Sequence, residues 1–203
     1  MAEAALVLYA VYMALAFGLR SYLMWRATGA TGFKGISGKP GSLEWIAGAL
    51  FIVALVVGVA APVLALTGAA EPLAALDEAT LNWIGVALAV AGIAATLYAQ
   101  VAMGESWRIG VDPGERTELV TSGPFAWVRN PIFAAMIPTG LGLALMVPNV
   151  PAIVGFAALV IALELQVRLV EEPYLLAQHG ERYREYARRT GRFVPGVGKL
   201  RRS

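Results

Sequence analysis

The chain has 203 residues, of which 58% are hydrophobic and only 15% charged, with a mean hydropathy of +0.66. A soluble domain carries roughly 25% charged residues, so this composition excludes an ordinary soluble enzyme and places the chain in lipid. It contains no cysteine, which excludes a disulfide framework, a thiolate nucleophile and a sulfur-ligated metal, and a net charge of +2 is too slight for nucleic acid to be the expected partner.

In chain order, five apolar stretches are expected to cross the membrane as helices: 4–25, 43–66, 81–103, 131–147 and 151–167. The opening lacks the basic n-region and small-residue cleavage site of a signal peptide, so the first span is expected to stay attached. Five glycines at every third position, Gly29, Gly32, Gly35, Gly38 and Gly41, are too few for a collagen helix and read as a flexible loop. Gly38 and Lys39 lack the Ser/Thr and the preceding glycine of a phosphate-binding loop. Small residues at four-residue spacing in the third span (Ala87, Ala91, Ala95, Ala99), with Ala54 and Gly58 in the second, are expected to let helix backbones approach closely. Pro148 and Asn149 break the apolar run between the last two stretches, which read as a tight helical hairpin.

The basic residues are one-sided. Four lie around the loop after the first span, three in the segment after the third (Arg108, Arg116, Arg129), and the remaining nine from Arg168 onward, while the opposite loops offer only Glu3, Glu71, Asp77 and Glu78. The positive-inside rule then gives an outside N-terminus, a cytoplasmic C-terminus and an odd number of crossings. The expected fold is an all-α integral membrane protein of the inner (plasma) membrane, five transmembrane helices forming a single domain with a cytoplasmic C-terminal helical segment.

Charged and aromatic residues mix densely only in segments 104–130 and 168–203, both cytoplasmic on this topology, so any active site is expected there. Glu164, Arg168 and Glu172 are spaced i, i+4, i+8 and would share one helix face, with Glu171 turned by about one hundred degrees. Such a row reads as a juxtamembrane ion-pair ladder or, because ionisable groups at membrane depth mark function, as part of a site. Pro173 predicts a kink at Glu172. His179, the sole histidine, excludes a multi-histidine metal site and beside Gly180 reads as a helix-end residue.

Leu119-Val120-Thr121-Ser122-Gly123-Pro124-Phe125, then Val128-Arg129-Asn130-Pro131-Ile132-Phe133, Glu171-Glu172, His179-Gly180-Glu181-Arg182-Tyr183 and Arg192-Phe193-Val194-Pro195 follow in order. This C-terminal half resembles the isoprenylcysteine carboxyl methyltransferase family, integral membrane enzymes that use S-adenosyl-L-methionine. The resemblance implies a cofactor pocket formed by Thr117, Glu118, Leu119, Val120, Phe125, Asn130, Pro131, Ile132, Phe133, Glu171 and Glu172. It implies Arg168 as the group facing a lipophilic acceptor, with Trp107 nearby, and membrane lipid as the surrounding partner. Asn130 and Phe133 stand where the family has histidine and tyrosine; Asn130 still donates and accepts hydrogen bonds, whereas Phe133 only stacks. A carboxylate acceptor would need no base and would suit a clamp by Arg168; an amine, phenol or alcohol would need Glu172, Glu164 or His179 as base. The acidic pair followed by a Gly-x-x-Tyr run also resembles NADPH-dependent sterol reductases, the rival from another enzyme class, with a non-catalytic membrane scaffold as a third reading. No glycine-rich dinucleotide fingerprint follows a strand, so a Rossmann domain is not expected.

Overall fold

A computed structural model describes residues 1–111 and 118–201; Thr117, expected in the cofactor pocket, lies outside the described residues. The fold is all-helical. Helix α1 is Ala2–Thr28, α2 Leu43–Leu66, α3 Ala79–Met103, α4 Pro131–Met146, α5 Val150–Gln166 and α6 Glu172–Arg189. The wider π turn Val167–Glu171 joins α5 to α6. Among the described residues four helices are long and apolar enough to cross a membrane, the continuous helix Val150–Arg189 counted once; α4 is shorter, at 16 residues.

The helices start and stop where local chemistry dictates. Ser42 caps α2 by accepting the Trp45 backbone N–H, and Asn149 caps α5 by accepting from Ala152 at 2.9 Å. Asn149 is 1% exposed and donates to the Ala61 carbonyl at 3.0 Å, so one amide both starts α5 and ties the α4–α5 hairpin to α2. The hairpin expected from the Pro148-Asn149 break is present.

Large apolar side chains face outward, among them Val7, Val53, Val56, Val90, Val154 and Ile161, whereas the interior of the bundle is rich in alanine and glycine. This inversion suits lipid, which gives no reward for burying a valine, so close backbone packing must hold the helices together. Helix α3 packs on α4 through Gly85, Ala89, Gly92, Thr96 and Ala99, all buried. Of the expected alanine row only Ala99 takes part; Ala87, Ala91 and Ala95 are exposed, because the buried face follows the alternating four- and three-residue step of the helix and not a strict step of four. In α2, Ala54 is buried and Gly58 lies against the Tyr9 ring, as the spacing predicts. A Cβ on Gly142 would stand 2.5 Å from the Ala89 nitrogen and from the Gly85 carbonyl oxygen, both rigid backbone.

Arg129, three residues after the 3-10 turn Gly123–Ala126, is 5% exposed and ties this segment to the C-terminal elements. Its guanidinium donates to Glu172 Oε1 at 2.6 Å and to the carbonyls of Ala187, Thr190 and Gly198. Arg192 pairs with both oxygens of the same carboxylate at 2.8 and 2.9 Å. Burial pushes the Glu172 carboxyl up, but the Arg192 and Arg129 bonds and charges outweigh it and hold the group below its ordinary 4.5. Glu172, expected in the cofactor pocket and as a base, is thus consumed by two arginines.

Three outcomes are expected. Gly142→Ala should force α3 and α4 apart and cost about 1–3 kcal/mol, whereas Ala91→Leu, on the outer face, should leave the melting temperature in detergent unchanged. Arg129→Met leaves a buried carboxylate with one partner fewer and should cost about 3–5 kcal/mol. The lowered Glu172 value means its contribution is fully present above pH 4.5 and is lost on acidification below it, so Glu172→Gln should melt lower at neutral pH and show a shallower loss on acidification.

Candidate functional site

The end of the bundle that carries the 104–130 segment encloses a cavity of about 280 Å³ bounded by α1, α2, α3, α4 and the α5–α6 junction. Ten of the residues expected from the sequence line it: Trp107, Glu118, Leu119, Val120, Phe125, Asn130, Pro131, Ile132, Phe133 and Glu171. Segment 118–133 enters as a short extended piece, makes the 3-10 turn Gly123–Ala126, and starts α4 at Pro131, whose fixed φ suits a first helical position. This path brings Leu119 and Phe125 into burial, and Tyr186 of α6 donates to the Phe125 carbonyl at 2.5 Å. Asn130 faces the cavity while its amide donates to the Arg192 carbonyl at 3.2 Å, which joins segment 118–133 to the C-terminal segment.

Glu171 and Glu172, adjacent in sequence, have separate fates. Glu171 lines the cavity with its side chain 17% exposed and its carboxylate 4.0 Å from Arg108. Four residues beyond Val167, it lies past the apolar stretch of α5. Burial raises its pKa, opposed by the Arg108 charge and a hydrogen bond from Gln166. Arg108 lies over the Tyr174 ring at 4.6 Å, and its side chain is only 5% exposed.

Arg168 is not brought to the cavity. It projects outward, 56% exposed, and pairs with Glu164 at 2.5 Å, so the ladder reading holds for that pair. The π turn Val167–Glu171 is the reason: its wider repeat breaks the 3.6-residue phase on which the Glu164–Arg168–Glu172 face was drawn, and turns Glu171 to the cavity. The kink expected at Glu172 is replaced by this π turn and by a break at Gly180, whose φ of 50° interrupts α6. His179 sits at that break, outside the cavity lining, as a helix-end residue.

Sequence reasoning missed three parts of the site. Arg108 was read only as a topology charge, and its signal was its place one residue after Trp107. Gln166 and Gln100, polar residues within apolar helices, both reach the cavity. The glycine-rich segment is also not a free loop: Lys34 N–H donates to the Ile109 carbonyl at 2.9 Å and Ile109 N–H to that of Gly32 at 2.8 Å, which seats Phe33, Ile36 and Ser37 on the cavity. Gly110 allows this contact, because a Cβ there would stand 2.5 Å from the Gly35 carbonyl oxygen.

The arrangement joins a polar part, with Arg108, Glu171, Gln166, Asn130 and Glu118, to an apolar part between the helices, with Phe51, Ile52, Met136 and Leu163. Known proteins share the fold and part of the sequence. The eukaryotic intramembrane Ras methyltransferase ICMT (isoprenylcysteine carboxyl methyltransferase) superposes with a TM-score of 0.61 at 19% identity, over 95% of this chain and 67% of that one, a likeness of fold. Two curated relatives are the nickel-cobalt-cadmium resistance protein NccN of Alcaligenes xylosoxydans xylosoxydans, 30% identical over 121 residues, and the cobalt-zinc-cadmium resistance protein CzcN of Cupriavidus metallidurans, 31% identical over 123. These matches take in 59% and 60% of this chain, which spans about half the length of either relative (55% and 51%). The model of the phospholipid methyltransferase family matches residues 80–182, just over half of the chain, from α3 into α6. The resemblance to membrane methyltransferases read from the C-terminal half is therefore borne out, and the chain belongs to the phospholipid methyltransferase family.

Proposed function

We propose that the protein transfers a methyl group from S-adenosyl-L-methionine to a lipophilic acceptor, with a carboxylate favoured, at the cytoplasmic side of the inner membrane. The observation that carries this reading is the two-part cavity, whose polar half lies among the family motif residues and whose apolar half lies between membrane helices. The residues fit the cofactor. Arg108 suits its carboxylate, Glu171 its ammonium or ribose hydroxyls, and Phe125 with Trp107 offers aromatic surface for the adenine. When bound, the group supplies an electrophilic methyl on a sulfonium. The protein's part is then alignment, which supplies much of the rate of an in-line displacement, in a pocket whose apolar walls exclude water.

Glu171 is suited to a cation for an electrostatic reason. Its carboxylate is taken from water and stands 4.0 Å from the Arg108 guanidinium, so a ligand ammonium would repay the cost that raises its pKa. Arg108, unlike Arg168, lines the cavity and is the better candidate to hold an acceptor carboxylate or that of the cofactor. The one-sided basic residues support an outside N-terminus, five crossings with α4 and α5 as a short hairpin, and a cytoplasmic C-terminal segment. Entry of the acceptor sideways from the bilayer follows from the apolar half of the cavity being bounded by α1, α2 and α4.

Calorimetric titration of the purified protein in nanodiscs with S-adenosyl-L-methionine, its demethylated product and NADPH tests the donor. Glu171→Gln should raise the cofactor Kd about tenfold or more, the usual result of losing one charge-assisted bond, and Arg168→Met should leave it unchanged. Because the free carboxyl has a raised pKa and the cation favours its ionised form, wild-type affinity should climb with pH through the acid range and level off, a slope absent in Glu171→Gln. Binding of NADPH in place of S-adenosyl-L-methionine would overturn the methyltransferase reading. For topology, Glu71→Cys should react with an impermeant maleimide in intact cells and Arg201→Cys should not.

A further inference from the structure

The apolar half of the cavity contains three buried polar side chains with no assigned task. Thr96 is 1% exposed, Gln100 3% and Tyr12 4%, and all three line the cavity among Phe17, Phe51, Leu55 and Met136. Thr96 and Gln100 lie four residues apart on one face of α3, and Tyr12 reaches them from α1. The Gln100 amide is fixed in direction, since its Nε2 donates to the Ala16 carbonyl at 2.9 Å. That carbonyl lies within the π turn Ala14–Leu19, where the Arg20 N–H reaches back five residues to Leu15 and opens the ladder beside Ala16. With Nε2 committed, Gln100 Oε1 has no partner; the Tyr12 and Thr96 hydroxyls lie against each other, but neither meets a partner in full hydrogen-bond geometry.

A buried polar atom without a hydrogen bond costs about 1–3 kcal/mol, and the cost falls here on three atoms at one place in a membrane interior. A threonine in an apolar helix ordinarily satisfies its hydroxyl on a carbonyl of the preceding turn, as Thr139 does on Ala135 at 2.8 Å; Thr96 does not. The three atoms together offer one fixed acceptor and two hydroxyls able to donate or accept. A single ligand hydroxyl complements them, donating to Gln100 Oε1 and accepting from Tyr12 or Thr96.

Resting on the methyltransferase reading for the rest of the cavity, we propose that Tyr12, Thr96 and Gln100 form a recognition subsite for a hydroxyl group on the lipophilic acceptor, remote from the atom that is methylated. Thr96 lies seven residues inside the end of α3 at Met103, which places the subsite about 10 Å deeper than the polar half. The acceptor is accordingly an amphiphile with two polar groups, one at Arg108 and Glu171 and a hydroxyl within its apolar body. A plain hydrocarbon chain would leave the three atoms unpaired, and that penalty selects against it.

The test measures binding of three probes to the full chain in nanodiscs by calorimetry, without cofactor: ω-hydroxydodecanoate, dodecanoate and ω-methoxydodecanoate. The hydroxylated probe should bind about tenfold more tightly than either of the others, one hydrogen-bond set's worth. That preference should fall to about twofold or less in Tyr12→Phe and Thr96→Val, two near-isosteric changes whose folding is checked by their melting temperatures and by unchanged cofactor Kd. Equal binding of the three probes by the wild type would overturn the subsite and assign the three atoms to bound water. A preference that survives in both variants would overturn it equally. Hydroxyl preference without any binding of S-adenosyl-L-methionine would leave the subsite standing and remove the methyltransferase reading instead, so the two failures are distinct.

Discussion

The buried guanidinium of Arg129 is the constraint on which the half of the molecule that carries the C-terminal segment depends. It sits between the family motif of segment 118–133 and the C-terminal segment, and its bonds to three carbonyls and to Glu172 hold both against the start of α4. A charge this buried is costly unless its geometry is satisfied on several sides, and here a second arginine, Arg192, shares the same carboxylate. One result is positional: with Glu172 held inward, its neighbour Glu171 is fixed on the cavity side of the same helix. A second is that Asn130, one residue along, bonds the Arg192 carbonyl through both its backbone N–H and its side chain.

The membrane half is held by a different force. With lipid outside, burial of large side chains supplies little, and the close pairs α3–α4 and α2–α5 rely on glycine and alanine. Such packing leaves gaps wherever a large residue interrupts the small ones. The cavity opens among Tyr12, Phe17, Phe51, Met136 and Leu163, where large side chains gather in an otherwise alanine-rich interior. Tight pairing elsewhere leaves most of the space at this end, with a smaller cavity of about 60 Å³ among Ala5, Gly58 and Gly155.

Much of this was legible in the sequence, for reasons that differ by residue. Helix positions followed from apolar length, and the α4–α5 hairpin from Pro148 and Asn149, because in lipid the backbone must satisfy itself. Segment 118–133 was legible because its residues reach the cavity as one contiguous piece, so a linear motif maps onto a surface. Arg168 and Glu172 were placed in the site by the resemblance, and neither lines the cavity: Arg168 pairs with Glu164, and Glu172 with Arg129 and Arg192; the π turn Val167–Glu171, which leaves no compositional mark, interrupts the helical phase between them. The Gly29–Gly41 repeat read as flexibility because positive φ and looseness share a residue type; only the pairing of Gly32 and Lys34 with Ile109 shows that the freedom serves a fixed path. Arg108 and the Tyr12–Thr96–Gln100 group were invisible since they converge from separate elements.

The polarity of the cavity carries the last step. At one end a carboxylate with a raised pKa and an arginine nearly out of solvent face each other at a distance too long for a good ion pair. Arg129 and Glu172, at 2.6 Å, show how the same residue types settle when their pairing is the whole purpose. A cation and an anion side by side on one cavity wall complement a ligand that carries both signs, and an amino-acid-like head group is such a ligand. The apolar half then sets what sits beside that head group. An amphiphile drawn from the membrane would place its polar end against these charges without leaving lipid, whereas a water-soluble acceptor would bury no apolar surface there and would gain nothing from the helices around it.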